Sequence, residues 1–336
     1  MTATSYDALL VLSYGGPEGP EDVMPFLDGV LEGKSVPAAR KHEVALRYQQ
    51  FGGVSPLNAH VRALRDDLLR ELNTAGLSWP IYVASRYWTP RIADTLQQMA
   101  SDRVHHALAL FTSAFTCYAS CGQYFAAIEG AQREMGVDAP RVTKLRAYFN
   151  HPGFVEAWSE QVRAVFDSLA AGERSQSFVL FTAHSIPIAM AETCSYREQL
   201  MEASRLVAER LDLTENRWQL VFQSRSGPPQ QPWLEPGLNV VLHGLGRKMP
   251  AAPVVIVPIG FVLDNMEVTY DLDVEARGIA TRVGLRTVRA ATPGTQRRFV
   301  QMVRELVQER LHAPHVPPTL GKLGPAPDCC RRDCCP

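Results

Sequence analysis

Apolar runs alternate with amphipathic stretches along the whole chain. Most of the runs are continuous rather than alternating, which is typical of strands that are covered on both faces, as in parallel sheets. The predicted strands cover residues 8–13, 81–85, 107–112, 142–147, 178–183, 218–223, 253–259 and 285–290. Between them, apolar residues recur at helical spacing, most clearly over residues 58–72, 154–169 and 196–211. This alternation of strand and helix predicts a doubly wound α/β fold.

The eight predicted strands form two similar sets of four. The first strand of each set runs into a tight polar turn, beginning at Ser13 in one and at His184 in the other. We interpret this as an internal duplication of a Rossmann-like half, with boundaries at residues 1–172 and 173–312 and a tail at residues 313–336. The first half carries an insert at about residues 18–57. Because ligands bind beyond the carboxyl ends of parallel strands, we expect the site in a cleft between the halves.

Composition and charge exclude several classes of protein. The chain has 336 residues, 46% hydrophobic and 21% charged, which is typical of globular domains. Its 34 basic and 35 acidic residues leave a net charge of −1, so no electrostatic footprint for nucleic acid is predicted. The longest apolar stretch, residues 251–263, is too short to span a membrane. Residues 1–7 lack the features of a signal peptide, so a cytoplasmic location is expected. No phosphate-binding loop, dinucleotide fingerprint or hydrolase nucleophile elbow is present.

Two residues at predicted strand ends are candidates for chemistry. His184 follows the fifth strand, where a neutral imidazole can bind a metal or accept a proton. Tyr14 follows the first strand, and a phenol can ligate iron. The structural alternatives are a histidine satisfied by loop backbone and a tyrosine packed on its turn.

Three carboxylates after the seventh strand have helical spacing. Glu267, Asp271 and Glu275 are four residues apart, which places them on one face of a helix that begins near Asp264. Such a row suits transfer of a divalent cation. Alternatively, Asp264 and Glu267 form a capping box and the remaining acids belong to a solvated face. Capping does not account for Asp271 and Glu275.

Four of the seven cysteines lie at the C-terminus, after a Pro-rich stretch that predicts a linker. They are Cys329, Cys330, Cys334 and Cys335. Four thiolates suit an iron–sulfur cluster or structural zinc, and the alternative is a tail with no role in catalysis.

The chain resembles the ferrochelatase family over roughly residues 6–310. The resemblance depends on five motifs in order: Ser-Tyr-Gly-Gly-Pro from residue 13, Phe-Gly-Gly-Val-Ser-Pro-Leu from 51, Thr-Ala-His-Ser-Ile-Pro from 182, Gln-Ser-Arg-Ser-Gly-Pro-Pro from 223, and the acidic segment after Gly260. It is most similar to the coproporphyrin III ferrochelatases of actinobacterial type. Asn265 stands where many relatives have histidine.

The resemblance implies roles for individual residues. His184 and Glu267 would hold Fe²⁺ and accept the pyrrole protons, while Asp271 and Glu275 would lead the metal inward. The positions that match porphyrin contacts are Tyr14, Arg47, Tyr48, Ser55 and Tyr124. Some ferrochelatases also carry a [2Fe–2S] cluster, which the four C-terminal cysteines would ligate here.

The implied function is insertion of Fe²⁺ into coproporphyrin III to give coproheme in haem biosynthesis. Fe²⁺ and the porphyrin are both substrates, and a downstream haem-pathway enzyme would receive the product. The alternatives are the same reaction on protoporphyrin IX, a cobalt or nickel chelatase of the same fold, and a tetrapyrrole carrier without activity.

Overall fold

The computed structural model describes residues 6–249, 252–312 and 316–328. These residues form two compact units. Unit 1 contains residues 6–112, 123–145 and 303–312, and unit 2 contains most of the remainder, including residues 146–249 and 252–302. The halves predicted to meet at residues 172 and 173 stay a prediction.

Unit 1 is built on a four-stranded parallel sheet with strand order β2-β1-β3-β4. All six residues of the central strand β1 are buried, because the sheet is covered on both faces. The strands are β1 (Ala8–Ser13), β2 (Ile81–Ser85), β3 (His106–Phe111) and β4 (Arg141–Lys144).

Five α-helices connect and cover this sheet. Two of them lie in the segment between β1 and the long third helix, where a small apolar core forms around Phe26. The helices are α1 (Val23–Leu31), α2 (Ala38–Gln49), α3 (Leu57–Thr74), α4 (Ile92–Ser101) and α5 (Gln123–Met135).

Unit 2 repeats the topology with a second parallel sheet of order β6-β5-β7-β8. Its central strands are apolar and buried, as in unit 1. The strands are β5 (Phe178–His184), β6 (Trp218–Gln223), β7 (Pro253–Val257) and β8 (Arg286–Arg289). Because both sheets are parallel and share one strand order, the predicted α/β fold with two similar four-stranded halves is confirmed.

The helices of unit 2 include a wide π-helical segment, Thr269–Ala276, that directly continues a short α-helix. Val268, Leu272 and Ala276 from this region pack into the buried core of the unit. The helices are α6 (Pro152–Asp167), α7 (Ala171–Gln176), α8 (Ile188–Ala191), α9 (Tyr196–Arg210), α10 (Leu238–Lys248), α11 (Met266–Val268), α12 (Arg277–Arg282) and α13 (Arg297–Leu311), the last divided between the units.

Residues 316–328, predicted as part of a linker, are hydrogen-bonded to the body of unit 2. The Leu320 amide donates to the Asn150 carbonyl at 2.9 Å, and the Asn150 side chain donates to the Gly324 carbonyl at 2.6 Å. Arg146 donates to the Pro318 carbonyl at 3.1 Å. This part of the Pro-rich stretch is therefore anchored along its length. Among the described helices, none is long and apolar enough to cross a membrane.

Candidate functional site

His184 is the last residue of β5, a central strand of the unit 2 sheet. Its Nδ1 faces the Ser185 carbonyl, and its Nε2 lies 3.4 Å from Oε1 of Glu267. A carbonyl oxygen only accepts, so Nδ1 carries the proton and the neutral ring keeps its lone pair on Nε2. The Tyr196 hydroxyl donates to the backbone carbonyl of His184 at 3.1 Å. The ring is therefore oriented with one nitrogen available for a metal or a proton.

Glu267 is held at the first turn of α11. The helix begins at Met266, and the Asn265 side chain caps it by accepting from the Val268 amide at 2.9 Å. The alternative of a capping box between Asp264 and Glu267 is excluded, because Asn265 is the cap and Asp264 pairs with Arg289 at 3.0 Å. With Asn265 as the cap, the Glu267 carboxylate is free to face His184.

The two side chains determine each other's protonation. Loss of hydration lowers the pKa of His184, but the charge of Glu267 and the hydrogen bond to it prevail and raise that pKa to about 9. Loss of hydration also raises the pKa of Glu267, and the charge of His184 outweighs this and lowers it below its usual value. At neutral pH without substrate, the pair is an imidazolium and a carboxylate. A metal ion that binds Nε2 must therefore displace a proton.

Asp271 follows Glu267 by four residues and is buried, with 8% exposure. The Ser224 hydroxyl donates to its carboxylate. Ser224 has a φ of 60°, in the left-handed region that non-glycine residues rarely adopt, at the turn directly after β6. Such strain is often retained where a side chain must be aimed at a particular point.

Glu275, the third member of the predicted row, is exposed. It lies near the end of the π-helical segment, four residues beyond Asp271. Among the described residues, no group of three or more His, Cys, Asp and Glu side chains is arranged to hold a metal ion. His184 and Glu267 supply two ligands rather than a complete ligand set. Such a site suits a metal ion that is transferred better than one that is bound permanently.

Tyr14 lies directly after β1 in unit 1, with 39% exposure. Its ring packs at 4.7 Å from the Tyr87 ring and at 6.2 Å from Phe26, measured between centroids. The next residue, Gly15, has a φ of 85°, and a Cβ there would meet Trp88 Cβ at 2.7 Å. The turn therefore requires glycine, and it presents Tyr14 on an aromatic wall.

The predicted porphyrin contacts of the insert differ in exposure. Arg47 and Tyr48 lie on α2, where the Arg47 guanidinium pairs with Glu43 at 3.0 Å and Tyr48 packs at 5.9 Å from Phe26. Ser55 is only 3% exposed and packs under Gly16, whose added Cβ would meet Ser55 Cβ at 2.5 Å. Ser55 thus supports the turn that carries Tyr14.

Tyr124 is buried at the start of α5. Its ring lies 5.4 Å from that of Phe111, and the Arg86 guanidinium carbon lies 5.9 Å from the Tyr124 centroid and 4.4 Å from that of Tyr87. Arg86 also donates to the Gln123 side chain. The five predicted porphyrin contacts remain predictions. Tyr87 packs against Tyr14, and Arg86 packs over the Tyr87 ring.

Sequence reasoning missed Ser224 and Arg289 as parts of the site. Ser224 belongs to a motif quoted for the resemblance but received no role there. Arg289 lies 25 positions from Asp264. The only signal in the sequence was that the segment 264–275 contains five acids and no basic residue.

The cysteines of the predicted cluster, Cys329, Cys330, Cys334 and Cys335, lie outside the described residues. Their ligation of iron or zinc stays a prediction. The three described cysteines form no disulfide with one another, and the two buried ones are Cys117 and Cys121. Cys121 donates to the Cys117 carbonyl at 3.2 Å.

The architecture has a counterpart among solved structures. A structure of SirB from Bacillus subtilis with Fe³⁺ superposes with a TM-score of 0.52 at 12% identity, covering 90% of this chain and 96% of that one. At this identity the likeness concerns the fold alone. The chain is thus an α/β protein built on two parallel sheets, with a strand-end histidine that faces a carboxylate.

Sequence comparison identifies the family. A family model described as Ferrochelatase matches residues 6–311. A "Ferrochelatase" of Rhodopirellula baltica is 47% identical, covering 98% of this chain and 93% of the relative. A "Coproporphyrin III ferrochelatase" of Nocardia farcinica is 46% identical, covering 91% and 88%. This chain belongs to the ferrochelatase family. The prediction of a metal-inserting enzyme of haem biosynthesis, with Fe²⁺ and a porphyrin as substrates, is confirmed.

Proposed function

We propose that this enzyme inserts Fe²⁺ into coproporphyrin III, with His184 and Glu267 as the groups that receive the metal and the protons. The observation that carries the proposal is the His184–Glu267 pair at 3.4 Å. The Ser185 carbonyl fixes the proton of the neutral ring on Nδ1, so Nε2 is the only nitrogen left for the metal.

The stoichiometry of the reaction needs two acceptors. A free-base porphyrin carries two N–H protons, and the metallated ring carries none, so Fe²⁺ enters as two protons leave. The incoming metal first displaces the proton from Nε2 of His184. When the metal passes to the porphyrin, Nε2 takes one pyrrole proton and the Glu267 carboxylate takes the other, and water then removes both. Imidazole and carboxylate are also suitable ligands for ferrous iron, so the same two groups hold the ion before transfer.

Asp271 and Glu275 are proposed as the path by which the metal reaches this pair. Glu275 is exposed and Asp271 is buried, with its carboxylate oriented by the Ser224 hydroxyl. Oxygen donors one helical turn apart let a hydrated divalent ion exchange its ligands stepwise. The repulsion among the three carboxylates costs roughly a few tenths of a kcal/mol per pair and is relieved when the cation arrives.

The preference for coproporphyrin III is supported by Tyr14 and by the name of the Nocardia farcinica relative. Tyr14 is proposed as a direct contact of the macrocycle, with Arg47, Tyr48, Ser55 and Tyr124 as further porphyrin-binding residues. A guanidinium such as that of Arg47 binds a carboxylate strongly, and this macrocycle carries four of them.

Anaerobic turnover tests the reaction and its substrate. Fe²⁺ is offered with coproporphyrin III and with protoporphyrin IX in separate assays, and insertion is followed by the Soret absorption. We expect a preference for coproporphyrin III and loss of insertion in His184→Ala. The matched control is His243→Ala on α10, a histidine whose ring contacts its own helix at the Asn239 carbonyl. A preference for protoporphyrin IX would refute the substrate assignment, and tight binding without insertion would indicate a carrier.

Three further features belong to this proposal. We place the reaction in the cytoplasm, because Cys117, Cys121 and Cys194 form no disulfide, as is usual in a reducing compartment. A downstream enzyme of haem synthesis is the proposed recipient of the product. A [2Fe–2S] cluster on the four C-terminal cysteines stays a prediction, and iron and sulfide analysis of anaerobically purified protein tests it.

A further inference from the structure

Five acidic residues lie within the twelve positions that carry the proposed metal path. The structure separates them into two sets. Glu267 faces His184, and Asp271 faces Ser224. Asp264 and Asp273 form the second set, because both form ion pairs with one residue, Arg289 of β8.

The Arg289 guanidinium binds two carboxylates at once. Its Nε and Nη2 donate to Asp273 at 2.8 and 2.9 Å, and its Nη1 and Nη2 donate to Asp264 at 3.2 and 3.0 Å. Nη1 also donates to the Ala290 carbonyl at 3.5 Å. All five N–H groups are therefore engaged, in the planar two-sided geometry that lysine cannot reproduce.

The burial of Arg289 and Asp264 distinguishes their contact from a surface ion pair, while the Asp273 side chain is 36% exposed. The side chains of Arg289 and Asp264 are each 19% exposed. On the same strand, Arg286 pairs with Glu173, and these side chains are 55% and 36% exposed. Removing one partner of a well-hydrogen-bonded, mostly buried ion group leaves unpaired charge, whereas an exposed pair contributes little.

The location of the triad connects the sheet to the metal path. Arg289 is in register with Ile256 of β7, and the Ala290 amide donates to the Ile256 carbonyl at 2.9 Å. Asp264 lies three residues before Glu267, and Asp273 lies two residues after Asp271. The Arg289 side chain, fixed on the sheet, thus holds the segment 264–275 at two points, one before Glu267 and one after Asp271.

We propose that Arg289 is the positioning residue of the metal path: it holds Asp264 and Asp273 so that Glu267 and Asp271 stay at fixed positions relative to His184. This inference rests on the proposed function of the His184–Glu267 pair. It also explains why the acids fall into two sets. Arg289 offsets the charge of Asp264 and Asp273, so the remaining negative charge lies on the side chains that meet the metal.

Steady-state kinetics on the full chain with Fe²⁺ and coproporphyrin III tests the role. We expect Arg289→Met and Arg289→Lys to lower kcat by at least about tenfold, because neither side chain can hold both carboxylates. The KM for the porphyrin should change less than about twofold. Asp273→Asn, which keeps the Asp264 contact, should give an intermediate loss of kcat. Arg286→Met is the matched control on the same strand and should retain wild-type kinetics.

A structural role alone would give a different result. Thermal unfolding of each variant is measured together with the kinetics, and assays are run well below the unfolding temperature. A lower unfolding temperature with kcat within about twofold of wild type in Asp273→Asn and Arg289→Lys would overturn the positioning role. His184→Ala is assayed in parallel. If it keeps its activity, the proposed site itself is wrong; if it is inactive while the Arg289 variants are normal, only the present inference fails.

Discussion

Replacing Glu267 with Gln tests whether this carboxylate controls the protonation of His184. The change keeps the size of the side chain and removes its charge. Loss of hydration alone lowers the pKa of His184, so its raised value of about 9 depends on the charge of Glu267 and on the hydrogen bond to it. Without that charge, we expect the pKa to fall.

The distance between the groups sets the magnitude. Two unit charges 3.4 Å apart interact by about 5 kcal/mol at an effective dielectric constant of about 20 and by about 1 kcal/mol in bulk water. The side chain of Glu267 is 47% exposed, which places the interaction toward the lower figure. Because about 1.4 kcal/mol corresponds to tenfold in proton affinity, the pKa of His184 should fall from about 9 to about 8 or below.

Nitrogen NMR of histidine-labelled protein measures this pKa directly. The chain has nine histidines, and the spectrum of His184→Ala assigns the resonance. Asp271→Asn serves as the comparison, because the charge of Asp271 makes the smallest of the contributions to the pKa of His184. A His184 pKa that stays near 9 in Glu267→Gln would refute the argument that the charge of Glu267 raises it. So would a His184 pKa that falls more in Asp271→Asn than in Glu267→Gln.

Three other predictions follow from the described contacts. The pKa of His184 is raised above 6.5, so its contribution to stability is complete below pH 6.5 and lost as pH rises through about 9; urea unfolding should show wild type losing stability relative to His184→Ala over pH 7 to 9.5. Asn265→Ala removes the cap of α11 and should cost about 1 kcal/mol in thermal unfolding, whereas an unchanged stability would show that the cap is replaced by water. Gly15→Ala should destabilise more than Gly76→Ala, because both have positive φ but only Gly15 faces a close neighbour, Trp88 Cβ; equal effects would contradict the packing argument.

The central strands were predictable from the sequence because burial on both faces makes them mostly continuous apolar runs. The bounds of β1, β2 and β6 match the predicted residues 8–13, 81–85 and 218–223. The edge strands β4 and β8 are shorter than predicted, covering Arg141–Lys144 and Arg286–Arg289. Leu145 and Ala290, just beyond these two strands, are buried in the core, and a hydrophobicity pattern does not distinguish such residues from those of the strand itself.

The site was predictable in part for a topological reason. His184 is the last residue of β5, and Glu267 lies in the first turn of α11, which follows β7. Strand β7 is the neighbour of β5 in the sheet. Parallel neighbours end at the same edge, so a strand-end residue and a helix-start residue come together there. The choice of cap was not predictable, because Asp264 and Asn265 are both good caps and a distant arginine decided between them.

The spacing of residues 267–276 in the sequence already indicates the π-helical segment. The acidic row at positions 267, 271 and 275 is accompanied by an apolar row at positions 268, 272 and 276, each with a strict spacing of four. In an α-helix of 3.6 residues per turn, such a row drifts by about 40° at every step. A wider turn reverses that drift, so two parallel rows of four favour a π-helical segment.

The π-helical segment makes chain length itself a determinant of this site. Its hydrogen bonds span five residues instead of four, so the segment corresponds to an α-helix that has accommodated one additional residue. Deleting a residue after Asp271 would restore an ordinary helix without removing a single ligand. Within the segment, it would shift Asp273 relative to Arg289 and Glu275 relative to Asp271, while the helix after Ala276 keeps its place. Relatives that differ in length here would thus differ in how metal enters, even with identical acidic residues.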